Sequence, residues 1–301
     1  MANTNIIADK PFEFPLQKIL VPTDFSNNAL KAIGYAAEIA KKSNATIFLL
    51  HVIEPTLNMA TMQADSSGKK VVKARTAKLN LSLKSIADVY PHIKVIPYLT
   101  GGAVIPSILE YAEKEMIDMI IMGTKGATGL KKLFMGSVAA GVIGKTNIPV
   151  LAVPASYEIV KPDTIVFATN QFEKNKKLLK NIIAISKLFS AAIHVVVFKD
   201  IDGNENADFI YNEEQLNDYL QFLKETFPGV IFKGELLSGN DFEMAIDQYS
   251  NQNEADIIAM VTYPKSFFEK VLLKSMNKKM AFHSTIPILA IPGITLDYGN
   301  V

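Results

Sequence analysis

The chain contains no cysteine among its 301 residues. Disulfides, thiol nucleophiles and cysteine metal sites are therefore excluded, and a reducing compartment such as the cytoplasm is expected. An excess of either charge is also missing: 31 basic residues face 30 acidic ones, for a net charge of +1. That balance gives no footprint for nucleic acid or for an acidic membrane surface. No apolar run reaches the roughly 18 residues of a membrane span. The opening stretch "MANTNIIADKPFEFP" has no basic segment followed by an apolar one, so a secretory leader is not expected. Only four histidines occur, His51, His92, His194 and His283, and none has the spacing of a metal site. No Gly-x-Ser-x-Gly elbow is present, so a hydrolase triad has no support. A soluble protein without a nucleic-acid or membrane partner is expected.

What is present is alternation. "KILVPTD" (18–24) reads as a short strand buried on both faces. "NNALKAIGYAAEIAKKSN" (27–44) then places Ala29, Leu30, Ile33, Ala36, Ala37 and Ala40 on one helical stripe. Strands follow at "ATIFLLHVIE" (45–54), "IKVIPYL" (93–99), "MIDMIIMG" (116–123) and "IPVLAVP" (148–154), with helices near 68–90, 103–115 and 137–146 between them. Strand and helix alternating in this way predict an α/β fold, a parallel sheet with helices on both faces. The loop at 55–70, which includes Met59–Met62 and Asp65–Lys70, is the most irregular, and reads as a lid or as disorder.

After Pro154 the pattern restarts. "DTIVFATN" (163–170) matches "QKILVPTD" at a shift of 146, and "AAIHVVVFKD" (191–200) matches "ATIFLLHVIE" at the same shift. "ADIIAMVTYPKSFFEKVLLKSM" (255–276) matches "IDMIIMGTKGATGLKKLFMGSV" (117–138) at a shift of 138, and "TIPILAIPG" closes the second unit as "NIPVLAVPA" closes the first. Self-similarity over such lengths means two copies of one fold, with domains expected at 1–157 and 158–301. The two short proline-bounded strands "PVLAVP" and "PILAIP" are candidates for pairing with each other inside one chain.

The first copy carries the spacing Gly123-x2-Gly126-x9-Gly136-Ser137 just after a strand, with Gly129 between. In open parallel sheets ligands sit outside the carboxyl ends of the strands. Helix N-termini offer unpaired N–H groups that suit phosphate. The loop therefore reads as a phosphate cradle, set against the alternative of turn chemistry alone. Pro22, Thr23 and Asp24 end the neighbouring strand, and Val52 ends the next. Lys125, Lys131 and Lys132 flank the loop, and the last two read equally well as solvated charges. "GKT" at Gly144–Thr146 resembles the end of a Walker A motif, but its first glycine would fall at Ala139 inside a helix.

"ILVPTDFS", "LLHVIE", "DMIIMGTKGATGLKKLFMGSVAAGVI" and "IPVLAVP", in that order, resemble the universal stress protein family, and the glycine spacing resembles its ATP-binding branch. The resemblance covers residues 16–155 and, more weakly, 160–293. It implies two tandem open five-stranded parallel sheets of the adenine nucleotide alpha hydrolase-like type, usually dimeric, with ATP and magnesium the expected occupants. By that resemblance Asp24 and the Val52 backbone hold adenine, at an edge where Pro22 and Thr23 are further candidates for contact with base and ribose. Gly123, Lys125, Gly126, Gly136, Ser137 and Val138 line ribose and phosphates, and Met122 beside Gly123 is a further candidate for cofactor contact. The family often has histidine or arginine where this chain has Lys125, a cation without a planar side chain.

The second copy departs from the motif. Gly123 becomes Val261, Gly126 becomes Pro264, Gly129 becomes Phe267, Gly136 becomes Lys274 and Asp24 becomes Asn170. A second nucleotide site is not expected there, and Lys274 is either a plug in the vacated pocket or a solvated surface lysine. No arginine finger or base placed for water is evident. Binding as a sensor or switch is expected over turnover. The alternatives are a slow ATPase or adenylyl-transfer enzyme, and a nucleotide-free interaction module.

Overall fold

The computed structural model describes residues 16–54, 66–124, 135–169, 172–200, 205–262 and 285–293. The first half runs β1 (Lys18–Pro22), α1 (Asn27–Ser43), β2 (Thr46–Ile53), α2 (Ser66–Val89), β3 (Val95–Gly101), α3 (Val104–Lys114), β4 (Met119–Gly123), α4 (Ser137–Ile143) and β5 (Val150–Val153). The second runs β6 (Thr164–Ala168), α5 (Lys176–Phe189), β7 (Ala192–Asp200), α6 (Glu205–Thr226), β8 (Phe232–Gly239), α7 (Phe242–Gln252), β9 (Ile257–Thr262) and β10 (Ile288–Pro292). Helix α2 begins at Ser66, two residues before the helix expected near 68–90, so the end of the irregular loop belongs to its first turn.

Among the described residues ten strands form one sheet, in the order β3-β2-β1-β4-β5-β10-β9-β6-β7-β8. Each half is parallel within itself, and the two join edge to edge through an antiparallel β5–β10 pair. Leu151 faces Leu289, its own counterpart at the shift of 138. Pairing of a position with its own repeat is the mark of a two-fold axis, here inside one chain. The strands nearest the middle of the sheet, β4, β5, β9 and β10, are apolar and buried at nearly every position because helices cover both faces, while the edge strands β3 and β8 are partly exposed. Ile19 and Val21 of β1 belong to one core layer and Leu20 to the other.

Helix α1 follows from its local chemistry. The Ser26 hydroxyl accepts the Ala29 amide at 3.2 Å, a side-chain cap worth about 1 kcal/mol. At the other end Asn44 takes the left-handed conformation, φ 56°, and stops the helix. The buried face holds Ala29, Ile33, Ala36, Ala37 and Ala40 as the stripe predicts, together with Ala32, Tyr35 and Ile39. Leu30 does not belong to it and is 48% exposed, because it lies at the margin of a face centred on Ala29, Ala36 and Ala40.

One clamp is repeated in both halves. Asp118 Oδ2 accepts the amides of Gln17 and Lys18, both at 2.9 Å. Asp256 Oδ2 accepts those of Asp163 and Thr164, at 2.7 and 3.0 Å. Each carboxylate ties the start of a central strand to the turn before its neighbour. Asp256→Ala leaves two amides without their acceptor and is expected to lower stability by about 1–2 kcal/mol, read as a lower urea midpoint. Asp256→Asn, which keeps one oxygen, is expected to lose less.

Candidate functional site

The order β3-β2-β1-β4-β5 places a topological switch point between β1 and β4. β1 leads to β2 on one side, while β4 and β5 lie on the other, so the connections leave a crevice at the carboxyl ends of the two strands. Thr23 continues β1 by donating its amide to the Leu50 carbonyl at 2.8 Å. The turn that follows is held by its own side chains. The Thr23 hydroxyl accepts the Phe25 amide at 3.1 Å, and Asp24 Oδ1 accepts the Ser26 amide at 2.9 Å. Phe25 takes φ 65°, and its ring lies 4.3 Å from that of His51. Asp24 is exposed at the mouth of the crevice, Pro22 and Val52 are half-buried, and Thr23 and Met122 are buried.

His51 is packed rather than presented to a ligand. Its Nδ1 lies 2.7 Å from the Thr23 carbonyl. Its Nε2 is buried with no hydrogen-bond partner among the described residues. Burial is the main cause that lowers its pKa below the ordinary 6.5, and Arg75 and Lys78 on α2 push the same way, while the Thr23 bond and Asp24 oppose them. A neutral imidazole is favoured, with Nδ1–H donating to Thr23. The ring fixes the carbonyl just before Asp24 and so the direction of the turn. His194 is likewise lowered, first by burial and then by Lys233, with the Tyr249 hydroxyl 3.2 Å from Nδ1.

Because both folded pKa values lie below 6.5, the unfolded chain takes up protons first as pH falls. Stability is fully present above about pH 6.5 and declines below it. The urea midpoint of the wild-type chain is expected to fall between about pH 7.5 and about pH 5.5, with a shallower slope in a His51→Gln/His194→Gln double variant.

Gly123 ends β4 directly under the first turn of α1. A Cβ there would stand 2.8 Å from the Asn28 amide group and 3.0 Å from the Asn28 carbonyl oxygen. The absence of a side chain is thus what lets α1 seat its first turn on β4, before any ligand is considered. Asn28 is buried in this contact. Sequence reasoning missed it, although the polar run Ser26-Asn27-Asn28 at a helix start was its signal.

The third wall is α4. The Thr124 amide bonds the Val153 carbonyl at 3.0 Å, and the Gly136 amide donates to the Thr124 carbonyl. These bonds bring the two ends of the glycine loop together, so Gly123 and Gly136, thirteen positions apart in sequence, are joined through one peptide unit. Gly136 is the N-cap of α4 and offers no side-chain cap. The amides of Ser137 and Val138 fall in the first turn, where the helix supplies no acceptor. Lys125 and Gly126 lie outside the described residues, as do Gly129, Lys131 and Lys132. So do residues 55–65 of the stretch read as a lid.

In the second half Val261, 1% exposed, stands where Gly123 stands in the first. α1 and α5 end at equivalent left-handed residues, Asn44 and Ser190. Yet α5 starts at Lys176, three residues beyond the equivalent of Asn27. The first turn that Gly123 admits is missing opposite Val261. The turn chemistry survives in part: the Thr169 amide bonds the Val196 carbonyl at 3.0 Å and the Thr169 hydroxyl accepts the Phe172 amide at 3.2 Å. The same hydroxyl donates to the carboxylate of Glu173, which is only 7% exposed. A carboxylate buried at this strand end has the wrong charge for a polyphosphate. Asn170, Pro264, Phe267 and Lys274 lie outside the described residues.

These features define a doubly wound α/β protein whose crevice opens at the switch point of its first half. The model of the universal stress protein family matches residues 15–154. A universal stress protein of Methanocaldococcus jannaschii is 32% identical over 46% of this chain and 81% of its own length. The chain belongs to the universal stress protein family. A universal stress protein of Synechocystis is similar over both halves, at 23% identity across 91% of this chain and 99% of its own. The crystal structure of a universal stress protein from Archaeoglobus fulgidus has the same fold, with a TM-score of 0.64 and 22% identity over 92% of this chain and 97% of its own. No described helix is long and apolar enough to cross a membrane.

Proposed function

We propose that the chain binds one adenine nucleotide, ATP first among them, in the crevice of its first half, and that it acts as a sensor or switch. The observation that carries this reading is the convergence of three elements on Gly123: the Thr23–Asp24 turn, the first turn of α1, and the start of α4, tied through Thr124 and Gly136. Asp24 and the Val52 backbone hold the base in this reading. Met122 and Gly123 border the ribose, while Gly136, Ser137 and Val138 receive the phosphates. The fit is chemical as well as spatial, since a cluster of backbone amides at a helix start suits a phosphate oxygen. Magnesium enters on the phosphates, as this ion does where it keeps most of its own water.

The two halves are read as two domains meeting at Ala155–Pro162, the second without a nucleotide site. Denaturing the purified protein and identifying the released small molecule by mass and ultraviolet absorbance tests the reading. An adenine nucleotide at up to one per chain is expected. A preparation that releases none, and that takes up none at millimolar ATP, contradicts it. The same protein incubated with radiolabelled ATP is expected to retain it intact. Sustained release of phosphate or pyrophosphate would make the chain an enzyme instead.

A further inference from the structure

The outer strands of the sheet are β3 and β8, and their free sides differ. Along an edge strand, main-chain groups point by turns to the neighbouring strand and to the open side. The Ile47 amide donates to the Lys94 carbonyl at 2.9 Å, so even-numbered residues of β3 face β2. Pro97 is therefore turned outward, where it removes a donor from the edge. The Ile193 amide donates to the Ile231 carbonyl at 2.8 Å, so odd-numbered residues of β8 face β7. Phe232, Gly234, Leu236 and Ser238 then turn their amides and carbonyls to the open side. Ile47 pairs with Val95, and its repeat Ile193 pairs with Phe232, so Gly234 stands where Pro97 stands in the first half. Lys233, Gly234 and Glu235 are exposed, and no described strand pairs with the outer side of β8. An edge of eight residues with its donors intact is a template for another strand.

The side chains choose that strand. From Phe232 to Leu236 the order is apolar, cation, glycine, anion, apolar, and it reads with opposite charges about Gly234. An antiparallel second copy centred on Gly234 sets Lys233 of each strand opposite Glu235 of the other, and Phe232 opposite Leu236. The outward residues then meet as hydrogen-bonded pairs, with on the order of six main-chain bonds. Lys233 and Glu235 meet at the closer, non-bonded positions, where opposite charges attract. Neither makes an ion pair among the described residues. Sliding the pair by two residues either way sets Lys233 against Lys233 or Glu235 against Glu235, so charge selects one register. The contact is self-complementary, and Pro97 closes the other edge, so the assembly ends at two chains. The chain already joins its own halves by an antiparallel edge pair, β5 with β10.

We propose that two copies of the chain pair β8 to β8, antiparallel about Gly234, into one continuous sheet. The test is sedimentation velocity of the full chain, without added nucleotide, over a dilution series starting at millimolar chain. Hydrogen exchange is followed at the same concentrations. A species of twice 33.1 kDa is expected at the upper end. In it the Phe232, Gly234 and Leu236 amides exchange slowly, and they become fast on dilution. The Lys233 and Glu235 amides, turned to β7, stay slow throughout.

Lys233→Glu and Glu235→Lys alter exposed side chains and keep the fold. Each is expected to raise the dissociation constant of the dimer at least about tenfold, and the double charge swap to restore it. A chain that stays monomeric throughout overturns the proposal. So does slow exchange of the Phe232, Gly234 and Leu236 amides in the monomer, which would put another segment of the same chain on this edge. A dimer indifferent to the single reversals, or one that the double swap fails to restore, pairs through a different surface. No readout involves nucleotide, so the result stands apart from the ATP reading.

Discussion

Gly136→Lys is expected to weaken ATP binding by about 100-fold or more, to the limit of detection, while the chain keeps its fold. The substitution copies Lys274 of the second half into the first. Gly136 has φ −66° and ψ 156°, an extended conformation open to any residue, so the backbone does not resist the change. The residue is half-buried and lies at the start of α4, where a cation opposes the helix dipole by about 0.3–1 kcal/mol. That is a small cost for a domain. The effect on binding is large because the side chain enters the space assigned to a phosphate. Isothermal titration of ATP into the variant, with a thermal melt beside it, separates the two effects. Unchanged affinity would remove α4 from the site.

Gly123→Val carries the second large effect, and it falls on stability first. The new Cβ would meet the Asn28 side chain at 2.8 Å and, more seriously, the Asn28 backbone oxygen at 3.0 Å. A side chain can rotate away, but the backbone contact is relieved only if the first turn of α1 moves. Overpacking of this kind costs about 1–3 kcal/mol. The second half shows the relaxed outcome, a valine at this position and a helix that begins one turn later. The variant is therefore expected to lose hydrogen-exchange protection at Leu30 and Lys31, to melt lower, and to bind ATP poorly because α1 no longer closes on β4. A melting temperature equal to wild type, with exchange unchanged, would show that the glycine is not required for this contact.

Much of the fold was legible in the sequence because a buried parallel strand announces itself as an unbroken apolar run. β1, β2, β4 and β5 were each visible in that way, and the repeat at shifts of 146 and 138 gave the second half. Other features depend on approach between distant segments, which no local pattern encodes. Leu30 fits a helical stripe in one dimension but falls outside the face that meets the sheet. The β5–β10 junction turns two five-stranded sheets into one, and the sequence offered only proline-bounded strands as its hint. At the site, Gly123 read as room for a ligand, and the structure adds Asn28 as the group that uses that room. Glu173 could not be foreseen as a buried carboxylate, because a glutamate before a helix ordinarily faces water. The Asp118 and Asp256 clamps were findable in principle, as the same acid kept in both copies before the same strand.

The second half thus serves as an internal control for the first. Both copies keep the β-strand framework and the threonine turn, while glycine at four positions of the first is replaced by valine, proline, phenylalanine and lysine in the second. Titration calorimetry of ATP into the purified chain tests this division most directly. One saturable site per chain is expected, lost in Gly136→Lys. A stoichiometry of two, or no heat and no binding at millimolar ATP, would contradict it.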